Sequence, residues 1–243
     1  MSEAWPVYRL GIIDSTNTEA KRRVAASFHD QWIVADQQTA GRGRQDHQWV
    51  SPPGNIYATA LFREPHGLPA ALRLPFAAAL AVHDVVRAHA PQTDARLKWP
   101  NDVRIDRKKV SGILVETGGA GADFWIAAGI GINVQAAPDN VSQPVTSLAA
   151  LGMSPATDVE TVLATLRGAF ARRLEQAREG FTDIRKTWLE HAEGLGEPVH
   201  IRAGEVVIDG VFEDLEHDGA LVVRLPDGSR RSIRAGEVEN RRS

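Results

Sequence analysis

Two arginines alternate with two glycines in the stretch QTAGRGRQDHQW, residues 38–49 of a chain with a net charge of −3. Gly41 and Gly43 reach backbone conformations closed to other residues. Arg42 and Arg44 carry permanently charged, planar guanidinium groups that grip carboxylate or phosphate through paired hydrogen bonds. A short loop of this kind can close over an anionic ligand and neutralise it. The same residues also suit a solvated basic loop or a weak RNA contact, so the loop alone leaves all three readings open.

Other short stretches carry comparable chemistry. In KWPNDV, residues 98–103, Trp99 precedes a proline and is driven to extended backbone, so the chain turns there. Asn101 and Asp102 stand in that turn with Lys98 two residues before the proline, a set that can grip a nucleotide and a metal, or simply form a Pro-Asn-Asp turn. In KKVSGILVE, residues 108–116, Lys109 heads an apolar run. A buried ammonium there needs an anion or a route to solvent, and Gly112 lets another group approach the backbone; a strand-edge lysine in water is the plainer alternative. GIGIN, residues 129–133, is not a dinucleotide fingerprint, because Val134 stands where the last glycine belongs. Its glycines leave room for a flat ligand. DSTN, residues 14–17, places hydroxyls and an amide at a helix start, where free N–H groups favour an anion or carbonyl and where a cap is also expected. The eight histidines show no metal-ligand spacing, and no metal site is expected from side-chain spacing.

The elements that must position these residues follow from pattern. Residues 14–28 read as a helix with Thr16 as cap and Glu19 completing a capping box. WIVADQ is a strand ending at the arginine loop, and PPGNIYATALF is a turn and a strand. Residues 68–90 form the longest helical pattern, with Pro75 kinking it or marking its first turn. ARLKW, VRI, VSGILVETG and FWIAAGIGINV read as strands in antiparallel hairpins. Residues 158–178 are helical, and TDIRKTWLEHA extends that helix. After Gly194 four short strand-like runs predict a small β-barrel. The chain of 243 residues is 43% hydrophobic and 24% charged, an ordinary globular balance. It shows no run of the roughly 18 apolar residues of a membrane span and no signal peptide. Zero cysteines exclude disulfides and fit a cytoplasmic protein. The acidic balance argues against a broad nucleic-acid surface.

In this order the motifs resemble the biotin–protein ligases, across residues 14–133, and the C-terminal β segment also looks like theirs. The resemblance implies an α+β fold: a mixed sheet flanked by helices, like a class II aminoacyl-tRNA synthetase, over residues 1–194, and a small SH3-like β-barrel over 195–243. It implies an enzyme that activates biotin with ATP and Mg²⁺ to biotinyl-5'-AMP. The biotinyl group then passes to a lysine of a biotin carboxyl carrier domain in a biotin-dependent carboxylase. Ser15, Thr16, Asn17, Gln38, Arg42, Gly43, Arg44 and Lys109 resemble the biotin-binding residues, and Trp49, Asn101 and Asn133 the adenylate pocket. Lys109, Arg44 and Asp102 resemble the catalytic group, with Asp102 near the incoming carrier lysine. The resemblance also allows a homodimer.

Two departures stand out. The family's loop often continues with glycine and arginine, where Asp46 and His47 stand here; a negative charge there weakens the grip on phosphate. Longer members carry a DNA-binding helix-turn-helix, whereas here the motifs begin at residue 14, so no DNA binding is expected. The rival readings are a lipoate or octanoate ligase or transferase of the same fold, and an RNA-binding module using the GRGR loop with Arg230 and Arg231.

Overall fold

The computed structural model describes residues 4–26, 28–45, 47–139 and 141–239. A seven-stranded sheet is built from β1 (Val7–Ile13), β2 (Gln31–Gln38), β3 (Ile56–Arg63), β4 (Ala95–Lys98), β5 (Asp102–Ile105), β6 (Lys108–Gly118) and β7 (Trp125–Ile132). The strand order is β1-β2-β3-β7-β6-β5-β4. β1 and β2 are parallel, and the other neighbours pair antiparallel. The sheet is mixed as expected, although sequence pattern did not mark β1.

Side chains alternate across the strands with period two, and this divides the core. Trp32, Val34, Ala60, Phe62, Ile126 and Ala128 face one side, whereas Ile33, Leu61 and Ala127 face the other. On the second side they meet Ala20 of α1 (Thr16–Ala26). On the first lie α2 (Leu68–His89), α3 (Val159–Glu179) and α4 (Thr182–Glu190). Phe170 of α3 meets Trp32 edge-on, with centroids 5.2 Å apart.

The helices differ from expectation in three ways. α2 runs through Pro75 and begins after Gly67, with a proline in its first turn, so Pro75 does not mark its start. Although the sequence shows no unbroken apolar run, α2 is long and apolar enough by composition to cross a membrane. However, 72% of its most apolar window is buried inside the protein. α3 and α4 are separate helices, broken at Gly180 and Phe181. Phe181 is buried against Phe76, centroids 5.2 Å apart, a contact that a continuous helix would turn away.

The second sheet contains β8 (Pro198–Ala203), β9 (Val206–Leu215), β10 (Leu221–Arg224), β11 (Arg230–Ile233) and β12 (Glu237–Glu239), in the order β11-β10-β9-β8-β12. It is antiparallel throughout and matches a small barrel-like unit with one strand more than expected. It shares its core with the first sheet: Phe212 approaches Trp188 of α4, and Trp188 in turn packs on Phe76 of α2. Trp99 Nε1 donates to Gly219 O at 3.1 Å in a buried bond between the two units.

Candidate active site

The end of β2, the first half of β6, the last part of β7, the start of α1 and the arginine loop line a cavity of about 650 Å³. Ser15, Thr16, Asn17, Gln38, Arg42, Gly43, Arg44, Trp49, Asn101, Asp102, Lys109 and Asn133 all line it. The structure thus brings together every residue that the motifs assigned to biotin, adenylate or catalysis.

One wall is a chain of polar contacts. Thr16 donates from its backbone N–H to Gln38 Oε1 at 2.9 Å, and its hydroxyl lies 3.2 Å from the same oxygen. Gln38 Nε2 donates to Ser51 Oγ. Thr59 Oγ1 donates to Asn17 Oδ1 at 2.6 Å and sits 2.8 Å from Thr16 Oγ1. The expected capping box is therefore absent: Thr16 turns its hydroxyl toward the cavity wall, and Glu19 pairs with Arg22 and Arg23 on the outer face.

The floor is made of glycines. Gly131 of β7 pairs with Gly112 of β6, and the ring of Trp49 lies across them. A Cβ at Gly131 would stand 2.5 Å from Trp49, and one at Gly112 would stand 2.9 Å from it. A Cβ at Gly129 would meet Asn17 Oδ1 at 2.3 Å. The space these glycines leave is thus filled partly by Trp49 and Asn17, which then face the cavity.

Charge gathers at the other end. Lys109 Nζ lies 2.7 Å from Asp102 Oδ1, each side chain being 13% exposed. It also stands 5.3 Å from the Trp49 ring centroid, within cation–π range. The lysine finds its anion, as a buried ammonium must. The two-residue turn at Asp106 and Arg107, both with positive φ, links β5 to β6 and holds these partners on adjacent strands. Burial pushes the Lys98 ammonium below the usual lysine range, against the pull of Asp102. Burial likewise lowers the Arg44 guanidinium, with Glu237 and Asp102 working the other way. Arg44 Nη1 lies 3.5 Å from Gly236 O, and His47 Nδ1 lies 3.5 Å from Glu237 Oε1. Asp46, the other departure in this loop, lies outside the described residues.

Two uncharged buried polar atoms in this cavity have no hydrogen-bond partner among the described residues: Trp49 Nε1 and Asn133 Oδ1. The Asn133 amide nitrogen is engaged, donating to Thr146 O at 3.0 Å. Asn101 is likewise engaged, donating to Ile113 O at 2.7 Å and bracing the turn against β6. The cavity therefore offers one donor and one acceptor to a ligand that has both kinds of edge. Among the described residues no group of three His, Cys, Asp or Glu could hold a metal ion. Thr59, Tyr57, Glu237 and Val238 also belong to the site or its support. None stood out in sequence, since a threonine in an apolar strand looks like a β-branched filler.

A floor of glycines under an aromatic, with cationic side chains at one end, defines a protein that binds an anionic ligand beside a flat one. Residues 10–133 match the Biotin/lipoate A/B protein ligase family and residues 194–241 match the Biotin protein ligase C terminal domain; the chain belongs to this family. It is 41% identical over 234 residues to the Biotin--[acetyl-CoA-carboxylase] ligase of Paracoccus denitrificans, covering 93% of this chain and 96% of that one. It is 31% identical over 238 residues to the Bifunctional ligase/repressor BirA of Escherichia coli (strain K12), covering 96% and 73% of the two. The structure of the Aquifex aeolicus biotin protein ligase in complex with biotin and ATP superposes with a TM-score of 0.80. That pair is 30% identical, over 98% of this chain and 99% of the other.

Proposed function

We propose that this chain is an ATP-dependent biotin–protein ligase. It joins biotin to AMP and then transfers the biotinyl group to a lysine of a carboxylase carrier domain. The observation that carries the reading is one cavity that gathers cationic groups beside an indole N–H and an amide oxygen, both without a hydrogen-bond partner among the described residues. In this reading Ser15, Thr16, Asn17 and Gln38 hold biotin, and Trp49, Asn101 and Asn133 shape the nucleotide side. Arg42, Gly43, Arg44 and Lys109 surround the reacting carboxylate and phosphate.

Biotin's carboxylate is ionised at neutral pH, so its oxygen attacks the α-phosphorus without a base and pyrophosphate leaves. The difficulty is bringing two anions together, and fixed cations lower that barrier by positioning and charge stabilisation. Lys109 is held for this by Asp102 at 2.7 Å. Mg²⁺ bound with the ATP would supply shielding of the phosphate charge. Among the described residues no group of three His, Cys, Asp or Glu is arranged to hold it, so charge stabilisation by the protein falls to the chain's own cations. Closure of the glycine loop keeps water from the mixed anhydride. In the second step the carrier amine attacks the anhydride carbonyl, AMP leaves, and the amine's proton passes to Asp102 or solvent. The same reading divides the chain into a catalytic unit (1–194) and a C-terminal barrel (195–243). It places the work in the cytoplasm, and it allows a homodimer.

The test is to incubate the protein with biotin and Mg-ATP and look for biotinyl-AMP and pyrophosphate by mass spectrometry. Their formation is expected. Formation of lipoyl- or octanoyl-AMP alone would move the chain to the lipoate branch. Against the RNA-binding alternative, Arg230 pairs with Glu213, while Arg231 is exposed; salt-sensitive RNA binding at physiological ionic strength would favour it.

A further inference from the structure

Glu116, near the end of β6, is not part of the cavity lining, yet it touches two segments that are. Its side chain is 16% exposed. Asn17 Nδ2 donates to its Oε2 at 3.0 Å, Lys21 Nζ lies 2.7 Å from its Oε1, and Arg42 Nη1 lies 3.1 Å from that same oxygen. Burial alone would raise this carboxyl, but the Lys21 and Asn17 hydrogen bonds and the Arg42 charge outweigh it and hold Glu116 below the usual carboxylate range.

Each of these interactions has a geometric consequence. Asn17 is gripped at both ends, with Thr59 donating to Oδ1 and with Leu114 O and Glu116 accepting from Nδ2. Flipping the amide would aim its oxygen at a carboxylate, so Glu116 fixes which edge of Asn17 faces the cavity. Arg42 has several N–H donors in a rigid fork, and the one on Glu116 leaves the others for a ligand. Lys21 balances the carboxylate, so the cluster of two cations and one anion keeps a net positive charge beside the cavity.

We propose that Glu116 is a positioning residue for biotin binding, clamping Arg42 of the glycine loop and the Asn17 amide in the arrangement the ligand meets. This rests on the ligase reading given above. The experiment compares wild type, Glu116→Gln, Lys21→Ala, Arg42→Ala and the Glu116→Gln/Arg42→Ala double variant. Glu116→Gln takes the negative charge away from the Arg42 guanidinium, and the biotin KM is expected to rise by about tenfold, with kcat at saturating biotin little changed. In the ligand-free protein, trypsin should cut after Arg42 and Arg44 faster in Glu116→Gln than in wild type. Lys21→Ala removes one partner of Glu116 and should act in the same direction more weakly, and Glu116→Gln should add little once Arg42 is alanine.

An unchanged biotin KM and tryptic rate in folded Glu116→Gln would overturn the proposal, as would full additivity with Arg42→Ala. If Glu116→Gln does not fold, Glu116→Asp, which keeps the charge but shortens its reach, is measured the same way. Wild-type KM and tryptic rate in Glu116→Asp would then overturn it. Failure of the wild type to make any biotinyl-AMP sinks the ligase reading instead, while the tryptic comparison still reports whether Glu116 holds the loop.

Discussion

Lys109 and Gly131 show how much of the site rests on single side chains. Replacing Lys109 by alanine removes the cation beside Asp102. Adenylate formation is expected to fall by roughly 10²–10³, with a folded protein by circular dichroism, and Arg44→Ala should act in the same direction. Near-normal biotin transfer by both variants would remove these residues from the chemistry. Gly131→Ala drives a methyl group to 2.5 Å from the Trp49 ring. The ring must move, and the KM for ATP is expected to rise by about tenfold or more, which steady-state kinetics will measure. At this scale the sequence was most informative, because unusual residues in short runs carried the chemistry. It was silent about Thr59 and Glu116, whose roles come from partners far off in the chain, Asn17 lying 42 and 99 positions away from them. It also assigned Thr16 to a cap, since capping and ligand-facing hydroxyls look alike at a helix start.

Among the elements, α2 carries a test of its own. His83 is buried on it and stacks on His191, centroids 4.0 Å apart and planes 27° from parallel. Burial, helped by the neighbouring His191, Arg87 and Arg173 charges and opposed by Asp84, pushes its pKa from 6.5 down to about 4. The unfolded chain binds the proton near 6.5 and the folded one only near 4, so between those values the unfolded state holds more protons. Stability should therefore be flat above pH 6.5 and fall as pH drops through that window, by up to roughly 3 kcal/mol. Melting curves across pH 4–7 will show this slope, and His83→Phe should lessen it; equal slopes would assign the loss to other groups. Elements with strong apolar periodicity, such as α2 and β7, were legible. β1 was not: its burial pattern is largely exposed, and its partner β2 lies beyond an intervening helix. β12 has three residues, too few to form a pattern. The break between α3 and α4 depends on Phe181 finding Phe76, a contact no local signal records.

For the whole molecule the question is how firmly the second sheet is seated on the first. Gly219 has a φ of 82° and faces Phe76, which a Cβ would approach to 2.4 Å. Gly219→Ala therefore combines backbone strain with a clash, at an expected cost of about 2 kcal/mol. That corresponds to a Tm lower by roughly 4–8 °C in a protein of this size. It should also weaken the bond from Trp99 to Gly219 O and slow adenylate formation, whereas an unchanged Tm would show that the seat tolerates the methyl. The two-part architecture was readable from the change in texture after Gly194, but nothing in the sequence said that the second part reaches the cavity. Glu237 and Val238 line it together with Ser15 and Thr16, so segments far apart in the chain, and made at different times, build one pocket. With domains folding as they emerge, the growing chain can complete its sheet and still lack a closed pocket. In the proposed reaction the mixed anhydride is sheltered only once β12 has paired with β8, which ties the reactive chemistry to the seating of the second sheet.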